Sequence, residues 1–359
     1  MLLAVAALAS ALGAATPAPN QPFNRQPLLL PAPRLSVAEI ERFETAASGK
    51  AVVVNPLSRT EVARAYQLVY LPQSTVAAGW SGNVASCNAG STSTAYRTAV
   101  IERINFYRAL AGLPGVIVHS SDATISGNVQ QAALMMSAQG ALSHSPGTSW
   151  ACYSSGGAGS SGGAASANLA LGSAGPGSID LYMSDPGSGN AAVGHRRWIL
   201  YPPRQVMASG DIPSGTRANA LYVFGSNGPR PATPNGVAWP PRGFVPYQVL
   251  PASNRWSLSY PGANFSAATV SMNVNGQPIS SSIDSNNANG YGDNTLVWRP
   301  ATGSNAVVYG VSGVGRSYQV TVSGIAGNGV PSSISYSVSV IDGMEALSSS
   351  NGFFHSGFE

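Results

Sequence analysis

The stretch YRTAVIERINFYRALAGLPG, residues 96–115, has the clearest periodicity in the chain. Apolar side chains recur in it at i, i+4, i+7 and i+11, the spacing of one helix face, and they are Val100, Ile104, Tyr107 and Ala111. Gly112 and Pro114 come next, and both residue types commonly stand just beyond a helix end. We predict a helix here that packs its apolar face against a core.

A second stretch, ATISGNVQQAALMMSAQGALSHSP at residues 123–146, has the same helical spacing. The apolar positions of its repeat are Ile125, Val129, Ala132 and Met136. Gly140 ends this predicted helix, because glycine is the commonest residue just past a helix C-terminus. His144 therefore follows closely behind a helix end.

Shorter elements are predicted from end signals and composition. Ser36 and Ser58 each precede an acidic residue by three positions, which is typical of helix starts, so we expect short helices at 36–47 and 58–70. Three further segments are interpreted as a loop of Gly, Ala and Ser at 154–166, a helix at 177–185 and a strand at 218–225.

Beyond a proline-rich break at 239–246 the pattern changes to an alternation of apolar and polar residues. Its apolar members are Trp256/Leu258/Tyr260, Val270/Met272/Val274, Tyr318/Val320/Val322 and Ile334/Tyr336/Val338/Val340. Turn sequences such as NVNGQP and IAGNGVP separate them, which is typical of an antiparallel sandwich of about 100 residues. We predict the α+β class, with an immunoglobulin-like β-sandwich over 247–343.

Charge is scarce in this protein. Charged residues make up 9% of the 359-residue chain, the formal net charge is +4, and Lys50 is its one lysine. A nucleic-acid-binding surface needs Lys and Arg clustered together, and no such run occurs, so we expect no nucleic-acid partner. The hydrophobic fraction of 44% excludes wholesale disorder, and the length allows two domains.

The first residues, MLLAVAALASALGAATPAPN, form an apolar run of signal-peptide length, although Arg25 is the first basic residue. We predict a signal peptide at 1–18, a linker with short helices at 19–75, and a Ser-rich tail at 344–359. No other stretch approaches about 20 uninterrupted apolar residues, so we expect no transmembrane segment in the mature protein. The expected location is extracellular or periplasmic.

Cys87 and Cys152 are the two cysteines of the chain. In an exported protein such a sparse, even count indicates one disulfide, whereas in a cytosolic protein the two thiols would stay free. Because the leader indicates export, we predict a Cys87–Cys152 disulfide.

Four segments follow the helix VIERINFYRALAGLP in order: GALSHSP, ASANLALG, IDLYMSD and VGHRRWIL. This order resembles the CAP superfamily, or SCP domain, of cysteine-rich secretory proteins, antigen 5 and plant pathogenesis-related proteins, and especially its bacterial branch. In that family a histidine after a helix is followed by Gly-Glu-Asn-Leu, by Trp-x-x-Glu and by Gly-His. The resemblance covers roughly residues 96–225. It implies an α-β-α sandwich, which we place at 76–238.

The resemblance implies a cleft that contains His144 as the first histidine, His195 as the second and Asp185 as the Trp-x-x-Glu carboxylate. Ala167 stands where the family has its other glutamate. Family members are reported to bind zinc or another divalent ion through the two histidines, so His144 and His195 are the expected metal ligands. A metal hydrolase also needs a carboxylate to take a proton from bound water. Ala167 cannot do this, so Asp185 would have to be either ligand or base.

Simpler interpretations remain open for these residues. His144 and His195 would equally suit a hydrogen-bonded pair that braces two loops, and Asp185 before a proline would suit a turn. His119 and His355 are interpreted as ordinary satisfied residues.

The neighbours of His195 have structural interpretations as well. Arg196 and Arg197 either line an anionic groove, or are solvated or paired with Asp180 or Asp211, and we favour a structural role. Trp198 is predicted to be core.

Two other motifs are set aside. GSSGG at 159–163 fits the G-x-S-x-G pattern. A nucleophilic Ser161 would need a strand before it and a helix after it, whereas this segment is predicted to be a loop. DSNNANGYGDN at 284–294 has the look of a calcium loop, but Ala288 breaks the alternation of ligands and no Glu closes it. We interpret it as a loop of the sandwich.

Three functions are consistent with the sequence. The first is a non-catalytic extracellular protein whose cleft binds a metal ion, a small apolar or lipid ligand, or a cell-envelope component. The second is a metal-dependent hydrolase acting on peptides or envelope material, with Asp185 between the histidines. The third is a structural surface protein in which the histidines are residual. The missing carboxylate at Ala167 favours the first.

Overall fold

A computed structural model of the chain describes residues 52–288 and 290–346, all of which belong to one compact unit. The predicted signal peptide, the helix at 36–47, the end of the tail from 347 and His355 lie outside the described residues. The chain is of the α+β class, as predicted, and its described residues form three sheets. Its helices are α1 Arg59–Ala65, α2 Leu71–Gln73, α3 Thr94–Leu110, α4 Ala123–Gln139, α5 Ser155–Ala158, α6 Pro176–Ser184 and α7 Gly194–Ile199.

The strands of the first part are β1 Val118–His119, β2 Ala167–Leu171, β3 Val206–Ile212 and β4 Ala218–Tyr222. The strands that follow are β5 Val237–Trp239, β6 Gly243–Pro246, β7 Trp256–Ser259, β8 Thr269–Val274, β9 Gln277–Ile279, β10 Ser281–Ser285, β11 Thr295–Pro300, β12 Ser317–Ser323 and β13 Ser333–Ile341.

Three of the predicted helices, which correspond to α1, α3 and α4, start at hydroxyl or carboxyl caps. The Ser58 hydroxyl accepts a hydrogen bond from the Glu61 backbone N–H at α1, Ser93 caps α3, and Asp122 caps α4. The predicted helix at 58–70 is present, but a π-helical turn over Tyr66–Tyr70 interrupts it between α1 and α2.

The first sheet has the strand order β1-β3-β4-β2. Helix α4 covers one of its faces, where Ala208 of β3 and Ala220 of β4 lie in the same buried cluster as Met136. The alternate strand residues, such as Met207 and Leu221, belong to the cluster that contains α3 and α6. Helices therefore cover both faces of this sheet.

The predicted loop at 154–166 is only partly a loop. It contains α5 and a 3₁₀ turn over Ala164–Ser166, and Ala164 is completely buried against the cluster of α4. The small residues of this segment pack against the core because they let its backbone approach α4 closely. The Ser154 hydroxyl supplies the cap by accepting the Gly157 N–H.

The disulfide prediction is confirmed. Cys87 and Cys152 are joined, with their Cα atoms 5.1 Å apart. The bond ties the segment before α3 to the segment between α4 and α5. The two cysteines that it joins are 65 residues apart in the sequence.

The C-terminal part consists of two sheets with strand orders β10-β11-β7-β5 and β6-β13-β12-β8-β9. Their inner faces meet through large side chains. Trp256 of β7 contacts Tyr318 of β12 with ring centroids 5.9 Å apart, and Trp298 of β11 donates its N–H to the Met272 sulfur of β8 at 3.2 Å. All four strands predicted from alternation are present, at β7, β8, β12 and β13.

The two parts share one core. Trp239 of β5 is completely buried, and its ring lies 5.2 Å from that of Tyr107 on α3. One continuous buried cluster includes Val100 of α3, Trp239 and Trp256. Over the described ranges, no helix is long and apolar enough to cross a membrane.

Candidate functional site

His195 lies in the first turn of α7, and Asp185 lies at the C-terminal end of α6. The segment from Asp185 to His195 contains two strained backbone positions. Asp185 has a φ of 50° and Val193 a φ of 45°, both in the left-handed region that residues other than glycine rarely occupy. Such outliers cluster at functional sites, where the surrounding structure holds them in place.

Asp185 and His195 form a close pair. The Asp185 side chain is 0% exposed, and its Oδ1 lies 2.7 Å from the Nδ1 of His195. Its Oδ2 accepts the backbone N–H of His195 at 3.1 Å. A carboxylate only accepts, so Nδ1 is the donor in this pair, and in the neutral imidazole Nε2 then has the lone pair. The role of Asp185 in this geometry is to orient His195.

His144 has the same arrangement with a different partner. Its Nδ1 lies 2.9 Å from the carbonyl oxygen of Ala164, which can only accept. Nδ1 is therefore the donor, and in the neutral imidazole Nε2 again has the lone pair. His144 and His195 thus each have Nδ1 tied to the protein and Nε2 free to meet a ligand.

The side chains of His144 and His195 both line the same two adjacent cavities, and Asn190 lines both cavities as well. One, of about 260 Å³, has Trp198, Phe224 and Tyr291 in its wall; we call it the aromatic cavity. The other, of about 350 Å³, is the aliphatic cavity, and its wall includes Leu142, Leu169, Leu171 and Leu181. The two imidazoles therefore stand at the shared boundary of both.

Asp185 and Ala167 are separated by this boundary. Asp185 lines the aliphatic cavity, whereas Ala167 lines the aromatic one and is nearly buried. At the position where the resemblance has a second glutamate, the wall of the aromatic cavity is thus a methyl group.

Buried polar groups behind His195 hold it in place. The Tyr182 ring stacks on the imidazole with centroids 5.3 Å apart, and the Tyr182 hydroxyl donates to Asn219 Oδ1 at 2.8 Å. The Asn168 side-chain N–H donates to the backbone carbonyl of His195 at 3.1 Å. Burial raises the pKa of Tyr182 well above its usual value, so this hydroxyl stays a donor.

A polar network continues from Asn219 of β4 to the neighbouring strand β3. Asn219 donates to Asp211 at 2.8 Å, and the Ser209 hydroxyl donates to the other oxygen of that carboxylate at 2.7 Å. Burial raises the pKa of Asp211. His119 has both ring nitrogens in contacts, with the Ser120 carbonyl and the Ser209 N–H, and burial lowers its pKa. These contacts agree with the interpretation of His119 as an ordinary satisfied residue.

The two arginines after His195 have structural contacts, the interpretation that we favoured, and neither is paired with Asp180 or Asp211, an alternative that the sequence left open. Arg196 donates to the carbonyls of Met183 and Arg255, and Arg197 donates to those of Ala288 and Asp293. Neither residue pairs with these two aspartates, because the guanidinium groups reach backbone carbonyls of α6 and of the C-terminal part instead.

Trp198 is a second correction. It was predicted to be core, and it does pack against the core cluster, but it is only partly buried and its ring also lines the aromatic cavity. Ile199 and Leu200 beside it are buried. Trp198 follows His195 by three positions, which places both on the same side of the short helix α7.

Several cavity residues were not found from the sequence: Asn168, Asn190, Phe224 and Tyr291. Tyr291 belongs to the segment interpreted as a sandwich loop, and that loop reaches the cleft. The pattern offered one signal, the aromatic residue among Gly and Asn. It did not show which surface the loop would approach.

The described ranges contain no group of three or more His, Cys, Asp and Glu side chains arranged to hold a metal ion. Comparisons with known proteins assign no relationship either: no family model matches the chain, and no curated protein matches it.

Proposed function

We propose that the protein is an extracellular binding protein of the CAP type, whose cleft binds a small ligand with His144 and His195 as its polar anchors. The carrying observation is that both imidazoles line the same two cavities with Nδ1 engaged and Nε2 available. The helix-covered first sheet and the two facing C-terminal sheets support the CAP-type and immunoglobulin-like architectures. The disulfide supports export.

A divalent transition-metal ion is the simplest ligand of this kind. In protein metal sites the second nitrogen of a ligating histidine commonly donates to a carboxylate or a carbonyl, and His195 and His144 do so to Asp185 and Ala164. Catalytic zinc sites usually have three protein ligands, and the described residues of this cleft offer two, His144 and His195. The residues therefore fit a weakly held ion that shares its other positions with water or a second ligand.

Zinc titration by calorimetry tests this proposal on the mature protein beside His144→Ala and His195→Ala. We expect about one equivalent to bind, and both substitutions to abolish binding, because neither imidazole alone holds the ion. His119→Ala is the matched control, since His119 lies away from both cavities, and it should leave binding unchanged. Binding that survives either cleft substitution, or no binding at all, would remove the metal from the proposal.

A hydrolase is the second candidate, favoured by one observation. The Asp185 carboxylate behind His195 is the arrangement that prepares an imidazole to take a proton. The methyl group of Ala167 and the absence of a third metal ligand among the described residues weigh against it. We expect no hydrolysis of casein or of p-nitrophenyl esters above a His195→Ala background. Turnover that this substitution removes would favour the hydrolase.

A further inference from the structure

The aromatic cavity has walls of an unusual kind. The rings of Trp198 and Phe224 meet edge to face with centroids 4.8 Å apart, and Tyr291 stands in the same wall. Phe224 is 47% exposed and Tyr291 39% exposed. Leaving large aromatic surfaces in water forgoes the stabilisation that burial would give them. Concentrated in one cavity, they indicate a surface that a ligand covers.

The polar side-chain groups of this cavity are two amides, two imidazoles and the Tyr291 hydroxyl. None of its lining residues in the described ranges is Asp, Glu, Lys or Arg. Asn168 and Asn190 use their side-chain N–H groups to donate to the carbonyls of His195 and Pro186. No described group donates to their Oδ1 atoms. Together with the two Nε2 atoms, the cavity therefore presents hydrogen-bond acceptors.

These two features define a ligand class. The ligand must offer an apolar face to aromatic rings, several hydrogen-bond donors to the acceptors, and no charge. A lipid chain lacks the donors, and it is better suited to the aliphatic cavity. An anionic ligand would find no Lys or Arg among the described lining residues. A sugar ring has a C–H face and a rim of hydroxyl groups, and a cavity of about 260 Å³ suits one ring better than the larger ligands that fill pockets of about 300–1,000 Å³.

We propose that the aromatic cavity binds one ring of an uncharged saccharide. Trp198, Phe224 and Tyr291 contact its C–H surface, and the side chains of Asn168 and Asn190 accept from its hydroxyls. This assignment rests on the proposed function, since it names the ligand class of the same cleft. It does not require a metal ion.

Tyr291 makes the C-terminal part a component of the binding site. Its ring lies so close to Gly194 that a Cβ on Gly194 would approach it to 2.8 Å. The Arg197 guanidinium lies 5.2 Å from the ring centroid, and it holds the same loop through the carbonyls of Ala288 and Asp293. Tyr291 is thus positioned as a determinant of which sugars fit.

The test is calorimetry of the mature protein with four uncharged tetrasaccharides, those of N-acetylglucosamine, glucose in β-1,4 linkage, xylose and mannose. We expect at least one to bind, and Phe224→Ala and Tyr291→Ala each to weaken it by about tenfold or more. Tyr291→Phe should retain binding because it keeps the ring. Tyr153→Ala is the matched control, since Tyr153 is 38% exposed and lines neither cavity.

The outcomes separate this inference from the proposed function. If no tetrasaccharide binds, or if binding persists in Phe224→Ala and Tyr291→Ala, the saccharide assignment is overturned. The zinc titration is run on the same two variants, and it should be unchanged there because both keep the two histidines. Loss of saccharide binding in Leu142→Ala instead would place the sugar in the aliphatic cavity and also contradict the inference. Thermal unfolding of each variant confirms that it is folded.

Discussion

At the scale of single residues, the contact between Asp185 and His195 determines what the cleft can offer a ligand. The buried carboxylate accepts the Nδ1 proton, so Nε2 is the acceptor in the neutral imidazole. An asparagine at 185 has both a carbonyl and an amino group, and its amino group would favour the opposite tautomer. The charge that holds the proton on one nitrogen would also be gone.

We therefore expect Asp185→Asn to convert His195 from a single tautomer to a mixture. Nitrogen chemical shifts of the imidazoles, measured by NMR, distinguish the two forms. His119 serves as an internal control, because its contacts lie with Ser120 and Ser209 and are untouched by the substitution. An unchanged His195 spectrum would show that Asp185 does not set the tautomer.

The site residues were predictable only to the extent that spacing reveals them. The order of the motifs led to His144, Asp185, His195 and Ala167, and all four line the cavities. The order of the motifs did not reveal which nitrogen of each imidazole faces the cavities. That depends on the Ala164 carbonyl and on the buried position of Asp185. Phe224 and Tyr291 were missed because they come from separate segments that meet only in the folded chain.

At the scale of elements, helices and strands with a clean period were predicted well. Helices α3 and α4 have one apolar face over several turns, and β7, β8, β12 and β13 alternate. Strands β5 and β6 were missed because they fall around the proline-rich break. Strand β11 was missed because its central residues are apolar on both faces, which removes the alternation.

Helix α3 is buried over most of its length, and Glu102 is the acidic residue that it carries. Burial raises the pKa of Glu102 to about 7, from 4.5 in the unfolded chain. The neutral form is thus the one that the fold favours. Its contribution to stability is fully present below pH 4.5 and is lost as the pH rises through about 7.

For this reason Glu102→Gln should flatten the fall in stability between pH 5 and about 8. The variant is expected to match the parent protein at acidic pH and to exceed it at pH 8. Urea unfolding monitored by circular dichroism at a series of pH values measures this difference. Equal slopes against pH in the two proteins would mean that Glu102 ionises in the fold without cost.

At the scale of the whole molecule, the two parts are joined through polar as well as apolar contacts. Arg255, just before β7, donates to the backbone carbonyls of Asp185 and Gly187 at 2.7 and 2.9 Å. Arg196 crosses in the other direction to the Ser257 hydroxyl at 3.0 Å. The C-terminal sheets therefore hold the very segment that carries the Asp185 carboxylate.

We expect the helical part and the C-terminal sheets to unfold together. Far-UV circular dichroism follows the helices, while tryptophan fluorescence also follows the C-terminal sheets, where Trp239, Trp256 and Trp298 are completely buried. The two transitions should coincide, because one core connects both parts. Two separate midpoints would show that the contacts of Arg196, Arg255 and Trp239 do not couple them.

The position of Tyr291 over Gly194 also has a consequence for inheritance. The wall of the cleft comes from two stretches that lie nearly a hundred residues apart in the sequence. A gene segment that encodes only one of these stretches does not encode the complete wall. A descendant that exchanged its C-terminal sheets would keep both histidines but would lose the ring that closes the wall. Recombination at the junction should therefore produce proteins with a new ligand preference before it produces proteins with a new chemistry.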